Sequence, residues 1–264
     1  MNRSTTATWA RLVAGTAALG FALAACGSDS SDGGEAAASD SPSASESSQA
    51  TDTYTNDKCA NNQTSADSFR VGGILPLTGS LAFLGPPEIA GVGLAVSDVN
   101  AAGGVDGAQA CNDIQDSGDS NDMSVSTASA GTLVASKPSV VIGAASSSVS
   151  LNVVDTFADN KIVEISPANT AVDLSGYSPF YFRTAPPDGV QGNALGTLIT
   201  TDGYTKVGFL VFNDTYGTGL RNAVQETVEA AGGSCVYGCN GKGQEFPPGQ
   251  TTFSSEVSGV LAKK

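Results

Sequence analysis

Between Ser139 and Thr170 the chain carries two short apolar runs with a helical stretch between them. The first, Ser139-Val140-Val141-Ile142-Gly143, breaks into Ala144-Ala145-Ser146-Ser147-Ser148. The second, Ile162-Val163-Glu164-Ile165, breaks into Ser166-Pro167-Ala168-Asn169-Thr170. Two buried-type strands thus each end in small hydroxyl residues. In an open parallel sheet both breaks fall at strand C-termini, on the edge where ligands bind. The stretch therefore reads as half of a small-molecule site.

The rest of the chain from Phe69 onward repeats the pattern. Phe69–Leu75 reads as a first strand that opens into the turn-forming stretch Pro76-Leu77-Thr78-Gly79-Ser80. Pro86-Pro87 suit a helix's first turn, Ile89, Val92, Val96 and Val99 follow at helical spacing, and Gly103-Gly104 stops the helix. Gln109–Ile114 is a second strand and Met123–Ala135 a helix. Strand and helix alternate, the signature of a parallel sheet with helices on both faces. Phe180–Thr184 is a short crossing, and a second α/β series follows it. That series holds a helix with Val190, Leu195, Leu198 and Ile199, the strand Val207–Phe212, a helix with Leu220, Val224 and Val228, and a last helix with Phe253, Val257, Val260 and Leu261. The predicted fold is α/β with two lobes, 69–180 and 181–264. The second lobe would hold about two strands, incomplete for a covered parallel sheet, so the sequence is expected to be the N-terminal part of a longer protein.

Composition narrows the chemistry. A formal charge of −14 and a pI near 4.1 argue against nucleic-acid binding. There is no histidine, which removes Ser-His-Asp and Cys-His catalysis and any histidine metal site. An enzyme is disfavoured, and no metal or cofactor is expected.

Residues 1–25 read as a secretory signal, with Arg3 and Arg11 ahead of an apolar stretch too short for a typical span. The tetrad Leu23-Ala24-Ala25-Cys26 resembles the bacterial lipobox, in which the cysteine becomes the lipidated first residue. Residues 26–68 form the expected tether: Gly27 to Asp57 has no Leu, Ile, Val or Phe and carries seven acids without a base. Such a segment buries too little apolar surface to order itself. The expected location is the outer face of the cell membrane, held by a lipid anchor. Four further cysteines, Cys59, Cys111, Cys235 and Cys239, allow three connectivities. In an exported chain the expected pairs are Cys59–Cys111 and Cys235–Cys239, the alternative being that one or both stay reduced.

Four ordered motifs carry a family likeness. They are Arg70–Gly79, then Val99–Gly107, then Tyr181–Asp188 with Gln191-Gly192, and finally Asn213-Asp214-Thr215-Tyr216-Gly217-Thr218-Gly219. Together they resemble type I periplasmic binding proteins, specifically the branched-chain amino acid (Leu/Ile/Val) receptors of ABC transporters, over residues 69 to 264. The resemblance implies a ligand held between two closing lobes, an ABC permease as partner and no catalytic residue. It implies that Ser147, with Ser146 beside it at a helix N-terminus, holds a carboxylate. Ala168 would offer its carbonyl to an ammonium, Thr170 its hydroxyl and N–H to the ligand's polar end, and Tyr216 would close from the second lobe. Two positions depart from the pattern: Gln250 falls where the amino-acid binders place an acid, and Leu84 where an aromatic often packs. An amide, a carboxylate or another small metabolite therefore stands beside a branched-chain amino acid as ligand. The competing readings are a sensor built on the same fold and, last, a secreted hydrolase using Ser147, which lacks both a histidine and the G-x-S-x-G elbow.

Overall fold

The computed structural model describes residues 57–59 and 68–263. The leader, Cys26 and most of the tether lie outside the described residues. Everything described belongs to one unit, Ala44–Lys264.

Five parallel strands form the main sheet: β1 (Phe69–Leu75), β2 (Ala110–Asp116), β3 (Val140–Gly143), β4 (Val163–Ser166) and β5 (Tyr181–Arg183), in the order β2-β1-β3-β4-β5. The helices between them are α1 (Gly85–Ala101), α2 (Met123–Ser136) and α3 (Ser147–Asp159). The alternation of side chains along β1 and β3 divides the core between two faces. Ile74 and Val141 join Leu133, Val149, Val153 and Phe157 of α2 and α3. Val71 and Leu75 join Val92 and Val96 of α1 on the other face. The chain goes to one side of β1 for β2 and to the other for β3, which opens a crevice at their C-terminal ends.

The second series begins with α4 (Asp188–Thr201) and continues through β6 (Lys206–Gly208), α5 (Thr215–Ala230), β7 (Ser234–Tyr237) and α6 (Ser254–Leu261), with β6 and β7 parallel. Helices α4 and α5 pack closely because Gly192 and Gly196 leave room. A Cβ at these positions would stand 2.4 Å from the Ala223 side chain and 2.6 Å from Thr227.

Most expected elements form close to where the pattern places them. The second strand starts and ends later than Gln109–Ile114, because the Asn100 side chain clamps both backbone groups of Ala110 and the ladder with β1 continues to Asp116. The expected strand Val207–Phe212 shrinks to Lys206–Gly208. Its partner β7 ends at Tyr237, where Gly238 turns at φ +65, and the ladder is already irregular at Val207/Gly208. Strand β7 itself was hidden in a glycine- and cysteine-rich stretch.

Both expected disulfides form, Cys59–Cys111 and Cys235–Cys239. The first fixes a short segment onto β2, where Cys59 N–H donates to the Asn112 carbonyl at 2.9 Å and Asn112 N–H to that of Asp57 at 2.8 Å. The two bridges close loops of very different size, with separations of 52 and 4 residues. Chain entropy predicts that replacing both Cys59 and Cys111 by serine costs about 4 kcal/mol, and the Cys235/Cys239 double replacement about 2 kcal/mol. Urea unfolding of the two double variants checks the difference; equal losses would contradict it.

Candidate functional site

At the crevice lies a cavity of about 450 Å³, within the range of small-ligand sites. All five sequence-predicted ligand residues line it: Ser146, Ser147, Ala168, Thr170 and Tyr216. A larger trough of about 1140 Å³ lies beside Ser148, Asn213 and α5. The smaller cavity brings together the helix N-terminus, both hydroxyl-ended strands and the tyrosine, so the site is read there.

The loop after β3 starts at Gly143, with φ +124 and so little room that a Cβ would meet the Ile74 carbonyl oxygen at 2.1 Å. Only glycine lets the chain leave β3 here. Ser146 is the N-cap of α3, yet its side chain makes no capping hydrogen bond. Nor do Ser147 and Ser148 spend their hydroxyls on the cap. The Ser147 Oγ accepts from the N–H groups of Thr170 (3.3 Å) and Ala171 (3.2 Å), and the Ser148 Oγ from Thr215 N–H at 3.0 Å, across to α5. The first-turn N–H groups of α3 therefore keep the anion-binding character of an uncapped helix start. With both lone pairs engaged, the buried Ser147 hydroxyl retains its proton to donate.

Thr170 departs from expectation in one respect. Its N–H, expected to reach a ligand, is engaged by Ser147. Its hydroxyl is buried without a partner at hydrogen-bond geometry. Beside it is a group that the sequence reading did not assign to the site, Asp188. This residue opens α4, donates its N–H to the Thr170 carbonyl at 2.7 Å, and is fully buried with neither carboxylate oxygen paired. Burial pushes its carboxyl up. The nearby Thr170 hydroxyl and Arg183 guanidinium oppose that rise, and Asp214 adds to it. An unpaired buried carboxylate carries a large desolvation cost, which a cationic group would relieve. The signal was present in the motif Tyr181–Asp188, where the aspartate follows two prolines at a helix start.

Among the described residues, Asp214 is the only charged one lining the cavity. Its side chain caps α5 by accepting from Gly217 N–H at 2.7 Å, and burial raises its carboxyl despite that bond. Among the described residues no lysine or arginine lines the cavity.

Other lining residues were missed: Ser80, Leu81 and Phe83 from the loop after β1, with Ser120, Gln191, Phe212 and Pro248. Leu84, noted for departing from an aromatic, does line the wall. Gln250 does not; its amide donates to the Thr252 carbonyl and to Glu256, within the approach to α6. Tyr216 stands at the cavity with 42% of its surface exposed.

The loop after β1 is held by two aspartates of the β2 end. Asp116 accepts from the N–H groups of Leu77 and Thr78 at 3.0 and 3.2 Å. Asp119 accepts from Ser80 N–H at 2.6 Å and Ser80 Oγ at 2.9 Å. Burial alone would raise the Asp119 carboxyl, but the bonds from Ser80 and Asn121 outweigh it and hold it below its ordinary value.

Residues 68–264 match the family model described as periplasmic binding protein. The chain belongs to that family. It is 33% identical over 171 residues to the leucine-, isoleucine-, valine-, threonine- and alanine-binding protein of Pseudomonas aeruginosa, covering 63% of this chain and 45% of the relative. It is 35% identical over 116 residues to human metabotropic glutamate receptor 8, covering 43% of this chain and 13% of the receptor. Among solved structures, the branched-chain amino acid transporter substrate-binding protein LivJ of Streptococcus pneumoniae, in complex with isoleucine, superposes with a TM-score of 0.64 at 26% identity. That match covers 75% of this chain and 55% of LivJ. The chain spans about half the length of the bacterial amino-acid-binding relatives it matches.

The lowered Asp119 carboxyl sets an acid-side expectation. A carboxylate whose folded value lies below its unfolded value of 3.8 stabilises above that pH, and the contribution is lost as pH falls through the folded value. Asp119→Asn should cost about 1.5–3 kcal/mol at neutral pH and progressively less below about pH 4. Denaturant unfolding at several pH values checks this; a pH-independent difference would contradict it.

Proposed function

We propose that the chain is the ligand-capturing part of an extracytoplasmic solute-binding protein that takes an α-amino acid, or an amide of similar size, for an ABC importer. One observation carries the reading. In a single cavity, an uncapped helix start with the Ser147 hydroxyl faces the unpartnered Thr170 hydroxyl, and the unpaired Asp188 carboxylate lies behind Thr170. The first suits a carboxylate and the second an ammonium. The Ala168 carbonyl lies on the same wall as a further acceptor, and Tyr216 offers an apolar lid with one hydroxyl. A branched-chain side chain would lie against Leu81, Leu84 and Phe212. The amino-acid binding named for the Pseudomonas relative and the isoleucine of the LivJ complex support the same ligand class.

The two lobes, 69–180 and 181–264, would close on the ligand by rotation near the crossing at 181–188. Lipidation at Cys26 after removal of residues 1–25 would hold the protein at the outer membrane face, with 26–68 as its tether. Cys26 supplies the attachment atom, and more than one acyl chain gives stable anchoring. A sensor that reports the same ligand is the second reading, supported by the receptor relative. A permease copurifying with the protein would favour import, and a membrane signalling partner would favour sensing.

Thermal-shift measurement against the common L-amino acids tests the ligand class on the exported chain. A ligand at 100 times its Kd should add about 2.7 kcal/mol of stability. Ser147→Ala and Thr170→Val should each weaken binding by about ten- to a hundredfold. Asp188→Asn separates the chemistries: it should weaken amino acids by a similar factor and leave a simple carboxylate unaffected. Unchanged affinity in all three variants would remove the site from this cavity.

A further inference from the structure

Among the described residues, three aromatic side chains line the cavity, and all are exposed: Phe83 at 70%, Tyr216 at 42% and Phe212 at 39%. Rings carry a large apolar surface that folding ordinarily covers, so three left open around one concave site call for a partner. Phe83 comes from the loop after β1, Phe212 from the residues before α5, and Tyr216 from its first turn. Phe212 is firmly fixed. Strand β6 ends at Gly208, yet the chain pairs once more where Phe212 bridges Phe246. Phe246 N–H donates to the Val211 carbonyl at 3.1 Å, and Asn213 N–H to the Phe246 carbonyl at 2.8 Å, which clamps the backbone on either side of Phe212. The Phe212 ring meets Phe246 edge to face, with centroids 4.8 Å apart and planes at 66°. Phe246 meets Phe253 in the same way, at 4.9 Å and 70°. Phe246 is buried. A T-shaped series of rings thus runs from the start of α6 to Phe212 and ends at the cavity.

We propose that the ligand's apolar end is an aromatic ring, taken up as the next member of that series, with Phe212 and Phe83 setting the preference. The proposal rests on the amino-acid reading of this cavity and narrows the side chain it takes. A ring has a negative face and a positive edge. It therefore gains from a second ring at roughly 4.5–7 Å beyond what burial gives, and an aliphatic chain does not. That gain is worth between a few-fold and about tenfold in affinity. Phe212 is held from behind by Phe246, so little ordering is lost when a ligand settles on it. Phe83, in the short helix Ala82–Leu84, offers a second ring from the loop after β1. Leu81 and Leu84 beside it supply plain apolar surface, which serves a ring and a branched chain alike. The aromatic pair is what separates the two.

Isothermal titration of the full chain tests this with L-phenylalanine, L-leucine and phenylacetate, the last an aromatic carboxylate without an ammonium group. L-phenylalanine should bind about tenfold more tightly than L-leucine. Phe212→Leu should weaken L-phenylalanine by about tenfold and leave L-leucine within about twofold, so that the preference disappears. Phe83→Leu should reduce the preference by a few-fold. Phe83 is exposed, so this second variant leaves the core untouched and decides the matter should F212L fail to fold. L-leucine binding as tightly as L-phenylalanine overturns the proposal, and so does a preference unchanged in the folded variants. If phenylacetate binds, weakens in the variants, and neither amino acid binds, the ring preference stands and the amino-acid reading is what fails. If none of the three binds, both fall.

Discussion

The cavity depends on the way the chain leaves β3. Gly143 turns where no side chain fits, and the next residue, Ala144, gathers four hydrogen bonds from β4, α3 and the loop after β4. Those bonds are buried, so each would be expensive to leave unmade. They fix where α3 begins and how its first turn faces the crevice. The Thr170 and Ala171 N–H groups bond Ser147, so the two loops meet again at the start of α3. A rigid, water-poor support of this kind is what a small site needs to hold its polar groups in place before a ligand arrives.

The electrostatics of the site follow from what is missing around it. Among the described residues no base lines the cavity, and three acids, Asp188, Asp214 and Glu164, lie in or behind its walls with carboxyls raised by burial. Asp214 caps α5, and Glu164 holds Ala144. Asp188 has neither oxygen engaged. Its position at the first turn of α4 offers the helix dipole as partial compensation, and Arg183 adds more. The site is therefore acidic at one end and rich in N–H and hydroxyl donors at the other.

Much of this was legible in the residues. The two hydroxyl-ended apolar runs predicted the strands, the helix between them and the wall they form, because strand length, breakers and helical spacing are local signals. The disulfide pairs were legible from the cysteines' places relative to the strands. Three things were not. Strand β7 has only Cys235, Val236 and Tyr237 to mark it, among glycines. The wall residues Ser80 to Phe83 and Pro248 are set by tertiary clamps such as Asp119 to Ser80, which no periodicity reports. The burial of Glu164 and Asp188 was the third. A charged residue in an apolar run, or after Pro-Pro, is ordinarily read as solvent-facing, and only the packing around it shows that it is not.

The two walls of the cavity are built to different standards. One wall rests on the five-stranded sheet, which extends through β5 past the expected lobe boundary at residue 181, with helices packed on its faces. The other wall, Phe212, Tyr216 and Pro248, rises from a two-stranded ladder whose strand β6 ends at Gly208. What carries it instead is a chain of aromatic edges. Phe212 meets Phe246 with ring centroids 4.8 Å apart, and Phe246 meets Phe253 at 4.9 Å. Below them the buried Arg221–Glu245 pair and the Arg221 bond to the Gly238 carbonyl tie α5 to the loop after β7. Across the cleft, Ser148 to Thr215 joins α3 to the start of α5. Asp188 N–H donates to the Thr170 carbonyl at 2.7 Å and joins the start of α4 to the loop after β4 as well. Strand and helix packing on one side and aromatic packing on the other thus bring unlike supports to the same cavity.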